Sequence, residues 1–277
     1  MNSNGSVIKI FSFYYKNTPV LVADDLYQPV MAGNAPDVSN DKIQGDAAGD
    51  NISAKNRNYS ELTGLFWVWK NTREDIVGSC HYRRYFTAKP EPALYRLKRL
   101  LYYPVGLYKK RYGLIYTGNL RRFLPRIVNR EEIEALMGEY DAILPQARKL
   151  KYTVREHYGR YHRIEDLTLL ESVLSAKCPD YVDAFHVLMN SKSLYANNMF
   201  VLHEHHFQDF MAWWFDLLFE LESRTDINQY TGYQERVFGF IAERLLNLWF
   251  IKNQLKVAEL PVIYFKGLKK LQSPQTS

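Results

Sequence analysis

The side chains best suited to chemistry sit together at His81-Tyr82-Arg83-Arg84-Tyr85, directly after a short apolar stretch. Two guanidinium groups, two phenols and an imidazole suit a phosphate or diphosphate. Arginine forks pair with its oxygens, and the rings hold what is attached to it. The competing reading is a solvated arginine pair beside two core tyrosines. A second group of candidates is acidic. Glu235 and Glu243 lie eight residues apart in the run from Gln234 to Ile251, so a helix places them near one face about two turns apart. A carboxylate in so apolar a helix either pairs with an arginine, Arg236 and Arg244 being close in sequence, or does chemistry. The polar stretch before Tyr59 offers Asp50, Asn51, Lys55 and Asn56. These can contact a nucleotide or sugar, while neighbours such as Asn58 and Ser60 can cap a helix instead. His203, Glu204, His205 and His206 are metal-ligand types. They fall where a strand passes into a helix, however, and polar residues gather there anyway.

These residues need elements to position them. Leu62, Leu65, Phe66 and Trp69 recur at three- and four-residue spacing and predict a helix from about Tyr59 to Asn71 with one buried face. A strand follows over Asp75–Cys80 and delivers the His-Tyr-Arg-Arg cluster to its carboxyl end. Open α/β sheets place ligand sites there. Val7 to Tyr15 reads as a first strand whose end carries Tyr14 and Tyr15, rings that can stack on a ligand or, at least as readily, pack in the core. Further along, Glu131–Glu139 reads as a helix, Tyr140–Pro145 as a strand, and Leu167, Leu170, Val173 and Leu174 as one side of a helix ending at Cys178-Pro179. Leu194 to Leu202 is strand-like with a polar centre, Asn197-Asn198. Phe207–Glu222 is a strong helix with an aromatic stripe read as core, and Val257 to Tyr264 is a last strand. Strands alternating with helices give an α/β class.

The 277 residues suit one large domain, 47% of them are hydrophobic, and 21 are tyrosines. The formal charge of +6 points to an anionic partner. Two cysteines make no disulfide framework, and Cys80 reads as a small hydrophobe in a reducing compartment. Met1 to Ser6 lacks the apolar core of a signal peptide, and no apolar run reaches the roughly 18 residues of a membrane span. The expectation is a soluble or peripheral protein on the cytoplasmic side. The stretch from Ala93 to Arg130 holds ten Lys or Arg and no acid, interleaved with Leu, Tyr, Ile and Val. It reads as a basic amphipathic insertion, either docking on an anionic membrane surface or forming a solvated basic face. No nucleic-acid motif accompanies it, so nucleic acid is not an expected partner.

The string from Asp50 to Phe86 resembles the signature of a bacterial family of capsule and exopolysaccharide glycosyltransferases, formerly described only as a domain of unknown function. The pieces that carry the resemblance are Gly49-Asp50-Asn51-Ile52-Ser53, Lys55-Asn56, Tyr59-Ser60-Glu61-Leu62-Thr63-Gly64, Trp67-Val68-Trp69-Lys70-Asn71 and Gly78-Ser79-Cys80-His81-Tyr82-Arg83-Arg84-Tyr85-Phe86. A second match is Gly239-Phe240-Ile241-Ala242-Glu243-Arg244-Leu245. The resemblance implies a GT-A-like, Rossmann-related mixed sheet flanked by helices, one domain over 1–277 with 93–130 inserted. It implies sugar transfer from a UDP-sugar, galactofuranose first, to a lipid-linked glycan in capsule, exopolysaccharide or O-antigen synthesis.

Many GT-A enzymes meet the departing diphosphate with a divalent metal on an Asp-x-Asp motif. This sequence has none. The expectation is therefore that Arg83 and Arg84, with His81, Tyr82 and Lys55, meet it without a required cofactor. Mg or Mn on carboxylates such as Asp50 is the runner-up. Asp50, Asn51, Asn56 and Asn198 are expected near the donor, Asn198 because such enzymes carry an asparagine at a comparable strand start. An inverting reaction needs a general base, for which the candidates are Glu243, then Asp166, then Glu235. The different-class alternative is a non-catalytic membrane- or polysaccharide-binding accessory protein.

Overall fold

A computed structural model of the chain describes residues 6–16, 18–33, 43–102 and 113–268. Its strands are β1 (Ile8–Tyr14), β2 (Tyr27–Met31), β3 (Gln44–Gly45), β4 (Ile76–His81), β5 (Arg84–Phe86), β6 (Leu114–Thr117), β7 (Ala142–Pro145), β8 (Arg148–Lys149), β9 (Ser193–Leu194), β10 (Phe200–His203), β11 (Val257–Leu260) and β12 (Val262–Phe265). Its helices are α1 (Asn56–Tyr59), α2 (Leu62–Asn71), α3 (Ala93–Tyr102), α4 (Leu120–Phe123), α5 (Arg130–Met137), α6 (Val154–Tyr161), α7 (Glu165–Lys177), α8 (Val182–Asn190), α9 (Glu204–Ser223) and α10 (Val237–Asn253).

The main sheet is mixed, with ten strands among the described residues. Its principal order is β11-β7-β10-β4-β1-β2-β3, with β5, β12 and β6 branching from β4. Strands β4, β1 and β2 run parallel, and β10 is antiparallel to β4 and β7. The central strands are apolar on both faces because helices cover both. Phe11 and Phe13 of β1 pack into the layer formed by α2 and α6 to α10, while Ile8, Ile10 and Tyr14 face the layer containing Phe123, Ile133 and Met137. The mixed sheet flanked by helices matches the architecture expected from the sequence.

Three boundaries differ from expectation for identifiable reasons. The helix predicted from Tyr59 is two helices, because Ser60 takes φ 53° and the Asn56 amide donates to the Ser60 carbonyl at 2.7 Å. The strand predicted over 194–202 is interrupted by Asn197 and Asn198, both at positive φ (83° and 47°), a conformation that asparagine tolerates better than most residues. The last strand is two strands split at Pro261, which has no N–H to continue a ladder. Thus β11 pairs with β7, while β12 pairs with β5 and β6.

Part of the basic segment 93–130 belongs to the main sheet and the core. Residues 103–112 lie outside the described residues. From Leu114 onward the segment joins the fold, β6 pairing with β12 and Phe123, Ile127 and Val128 entering the core. Among the described residues no helix is long and apolar enough to cross a membrane.

Candidate active site

The parallel pairing of β1 with β4 sets His81 opposite Phe13. The chain then turns through Tyr82 and Arg83 into β5, which pairs back on His81 through Arg84. The cluster therefore sits at the carboxyl end of β4, as expected, on the wall of a cavity of about 1030 Å³. The sheet wall carries Tyr14, Tyr15, His81, Tyr82, Arg83, Arg84, Tyr116 and Tyr264, and the facing helical wall carries Glu61, His157, His162, Glu243 and Arg244.

The sheet wall is cationic and aromatic. The Arg83 guanidinium lies 5.2 Å from the Tyr82 ring centre and 4.7 Å from that of Tyr264, and Arg84 lies 5.2 Å from Tyr264. Arg236 approaches from the other side, 5.7 Å from the Tyr15 ring centre. Arg83, Arg84 and Arg236 form no ion pair among the described residues. Three uncompensated guanidinium groups facing one cavity make a site for a multiply charged anion.

The centre of the site is the turn at Asn197-Asn198. The carbonyl of Asn197 accepts from His81 Nε2 at 2.6 Å, its Oδ1 accepts from Arg148 at 3.1 Å, and its N–H donates to Glu243 Oε1 at 2.9 Å. Asn198 donates through Nδ2 to Glu61 Oε1 at 3.0 Å, and its carbonyl accepts from Ser79 Oγ at 3.0 Å. Two residues in an unusual backbone conformation thus fix an imidazole, two carboxylates and an arginine. Because a carbonyl can only accept, Nε2 of His81 carries the proton. Burial, then the neighbouring Arg84, pushes this imidazole down to about 3, so it is neutral at neutral pH with Nδ1 as an acceptor. Glu243 is held by Asn197 and by Arg244 Nη1, 3.2 Å from Oε2. Its side chain is 24% exposed, and the exposed part faces the cavity.

The remaining sequence candidates are placed as follows. Glu235 lines the cavity, but Arg57 clamps it with two hydrogen bonds of 2.9 and 2.8 Å. That pairing holds its carboxyl down to about 2, which makes it a poor base. Asp166 lies outside the cavity lining, buried, accepting from the hydroxyls of Tyr158 at 2.8 Å and Tyr230. It ties α7 to its neighbours. Lys55 is turned away to Glu222 on α9 at 2.5 Å. Asp50 and Asn51 serve the loop itself: Asn71 joins the Asp50 backbone, and Asn51 donates to the carbonyls of Ala47 and Gly49. Asn56 lines the cavity with its amide engaged by Ser60 and Thr63. Asn198 is buried behind the lining and acts through Glu61. At the end of β10, His203 bonds to the Met137 carbonyl at 3.1 Å. Among the described residues no group of three or more His, Cys, Asp or Glu is placed to hold a metal.

Sequence reasoning missed Glu61, Arg148 and Arg236. Glu61 stands inside a motif quoted for the family resemblance, but only the break at Ser60 turns it toward the cavity. Burial raises the Glu61 carboxyl above its ordinary 4.5, with Glu243 adding to the shift. A carboxyl with a raised folded value binds its proton more tightly in the native state, so it costs stability as pH rises through that window. Glu61→Gln keeps an acceptor for Asn198 and removes the charge. Its melting temperature should exceed that of the wild type at neutral pH, and the difference should close below about pH 4.5. A difference independent of pH would show that Glu61 carries no buried charge.

Comparisons with known proteins identify the family and a similar fold. The family described as a domain of unknown function (DUF4422) matches residues 9–254. Among solved structures, the chain is similar to the WbbM bifunctional glycosyltransferase in its apo form, with a TM-score of 0.81 and 29% identity over 94% of this chain. The match spans 45% of that longer protein. No curated protein matches. A family match across most of the sequence, including both motifs that form the cavity walls, means that the chain belongs to the DUF4422 family.

Proposed function

We propose that this chain is a glycosyltransferase that moves a sugar from a UDP-sugar to a lipid-linked glycan, with inversion and without a metal. The observation that carries this reading is one cavity lined both by Arg83, Arg84 and Arg236, which form no ion pair among the described residues, and by the Glu243 carboxylate. In the proposed reaction, Glu243 takes the proton of an acceptor hydroxyl as its oxygen attacks the anomeric carbon. The bond from that carbon to the diphosphate breaks, and the arginines meet the charge that develops there. His81, neutral and fixed by Asn197, offers Nδ1 to a donor hydroxyl. Arg83 and Arg84 at the end of β4 supply the positive charge that a divalent ion would otherwise bring to the diphosphate.

Likeness to part of a bifunctional glycosyltransferase supports the reaction class. UDP-galactofuranose as donor, and capsule, exopolysaccharide or O-antigen as product, rest on the family resemblance. The test is UDP release from a panel of UDP-sugars, UDP-galactofuranose included, with a synthetic polyprenyl-diphosphate saccharide as acceptor. Acceptor-dependent release supports the reading, and none from any donor sinks it.

Docking on the anionic inner face of the cytoplasmic membrane is part of the same proposal. Helix α3 exposes Leu94, Leu97 and Leu101 at 62%, 52% and 63%, at helical spacing within the acid-free basic stretch. Apolar side chains flanked by basic ones suit the head-group boundary. Phosphatidylglycerol vesicles should sediment the wild type but not a variant with all three leucines changed to serine. Equal sedimentation of both would remove α3 from the account.

A further inference from the structure

The helical wall of the cavity holds a second feature that the donor chemistry leaves unused. His162, Tyr233 and Phe240 form one aromatic surface. The His162 and Phe240 ring centres are 4.0 Å apart at 29°, Tyr233 and Phe240 are 5.0 Å apart at 40°, and His162 and Tyr233 are 6.5 Å apart at 23°. All three residues line the cavity. Tyr233 is 66% exposed, which is unusual for a ring with a core to join. Its backbone is held in place by a neighbour, because the Glu235 carboxylate that Arg57 clamps also accepts from Gly232 N at 3.0 Å. His162 is oriented by Gln234 at 3.1 Å from Nδ1, and burial lowers its imidazole, so the surface is uncharged. Beside it, His157 Nδ1 and Arg244 Nε are buried without a hydrogen-bond partner.

We propose that His162, Tyr233 and Phe240 form the acceptor subsite, on which a neutral sugar ring stacks by its C–H face and presents a hydroxyl to Glu243. This rests on the glycosyltransferase reading. The position follows from α10: Phe240 and Glu243 are three residues apart, so platform and base share one face about a turn from each other. The arginine wall belongs to the diphosphate, and the base must touch the acceptor. The ring that carries the attacking hydroxyl therefore belongs on the platform. Arg236 marks the boundary between the two halves, 5.7 Å from the Tyr15 ring centre and 6.0 Å from that of Tyr233.

Saturation-transfer NMR on the full chain tests this, with UDP and the methyl glycosides of galactose, glucose, mannose and rhamnose as probes. The wild type should saturate the uracil protons of UDP and the ring protons of at least one glycoside. Tyr233→Ala should weaken glycoside binding by up to roughly tenfold, the worth of one stacking face, and leave the uracil signals unchanged. Tyr233→Phe should behave as wild type. Glycoside signals that survive Tyr233→Ala, or the absence of any glycoside signal while UDP binds, overturn the acceptor subsite alone. Loss of the uracil signals in Tyr233→Ala would assign the platform to the base and also overturn it. If UDP gives no signal on the wild type, the donor reading itself fails and takes the subsite with it.

Discussion

Glu243→Gln is expected to lower glycosyl transfer by roughly 10²- to 10⁴-fold, the usual contribution of a general base, while leaving UDP binding near wild type and lowering the melting temperature, because the buried Arg244 loses its carboxylate partner. The substitution is close to isosteric. The Gln carbonyl still accepts from the Asn197 N–H, and Arg244 keeps its bond to the Phe240 carbonyl at 2.9 Å. What is lost is the capacity to hold a proton taken from the acceptor, together with the charge that faces the buried Arg244 guanidinium. Steady-state transfer with saturating donor reads this directly. The drop should fall on kcat, because the carboxylate matters most as the acceptor proton leaves. Turnover within a few-fold of wild type would remove Glu243 as the base and move the role to Glu61, which its raised carboxyl value equips for proton transfer. The Asp166→Asn variant makes a useful contrast. Asp166 lies outside the cavity lining and accepts from Tyr158 and Tyr230, so its loss should lower the melting temperature far more than kcat.

Arg84→Ala is expected to cost roughly 10²- to 10³-fold in transfer, comparable to removing a group aimed at charge that develops in the transition state. Arg84 opens β5 and pairs back on His81, so its position is set by the sheet rather than by an acidic partner. Its guanidinium lies over Tyr264 and forms no ion pair among the described residues. Truncation therefore breaks no ion pair among the described residues, although the Glu61 carboxyl loses a nearby positive charge, so stability should fall only modestly. Arg84→Lys should recover only part of the activity, because an ammonium is a point charge without the planar fork that grips two phosphate oxygens. Unfolding accompanying the loss of activity would show Arg84 to be structural.

Much of this site was legible because its two halves are local motifs. The arginine cluster follows β4 within a few residues, and Glu243 sits in a helix whose apolar period is plain. The long helices α9 and α10 were legible for the same reason. The links between the halves were not. Asn197 and Asn198 read as the polar centre of one strand. Instead they turn the chain through two positive φ values and join β4, β8, α2 and α10. No periodicity encodes a turn whose hydrogen bonds go to residues 41 to 137 positions away. Asp166 and Lys55 show the opposite error. Their types suited the site, but Asp166 is held by two tyrosine hydroxyls and Lys55 by Glu222. Pro261 was visible in the sequence, and its missing N–H already argued against a single last strand.

The most direct test of the central claim is the melting temperature with UDP, GDP, CMP or dTDP in EDTA, for the wild type and for Arg84→Ala. Ligand bound only by the native state raises it. The account predicts a rise with UDP that survives EDTA in the wild type and is lost or much reduced in Arg84→Ala. No rise with any nucleotide, or a rise that appears only once Mg²⁺ or Mn²⁺ replaces EDTA, would contradict it.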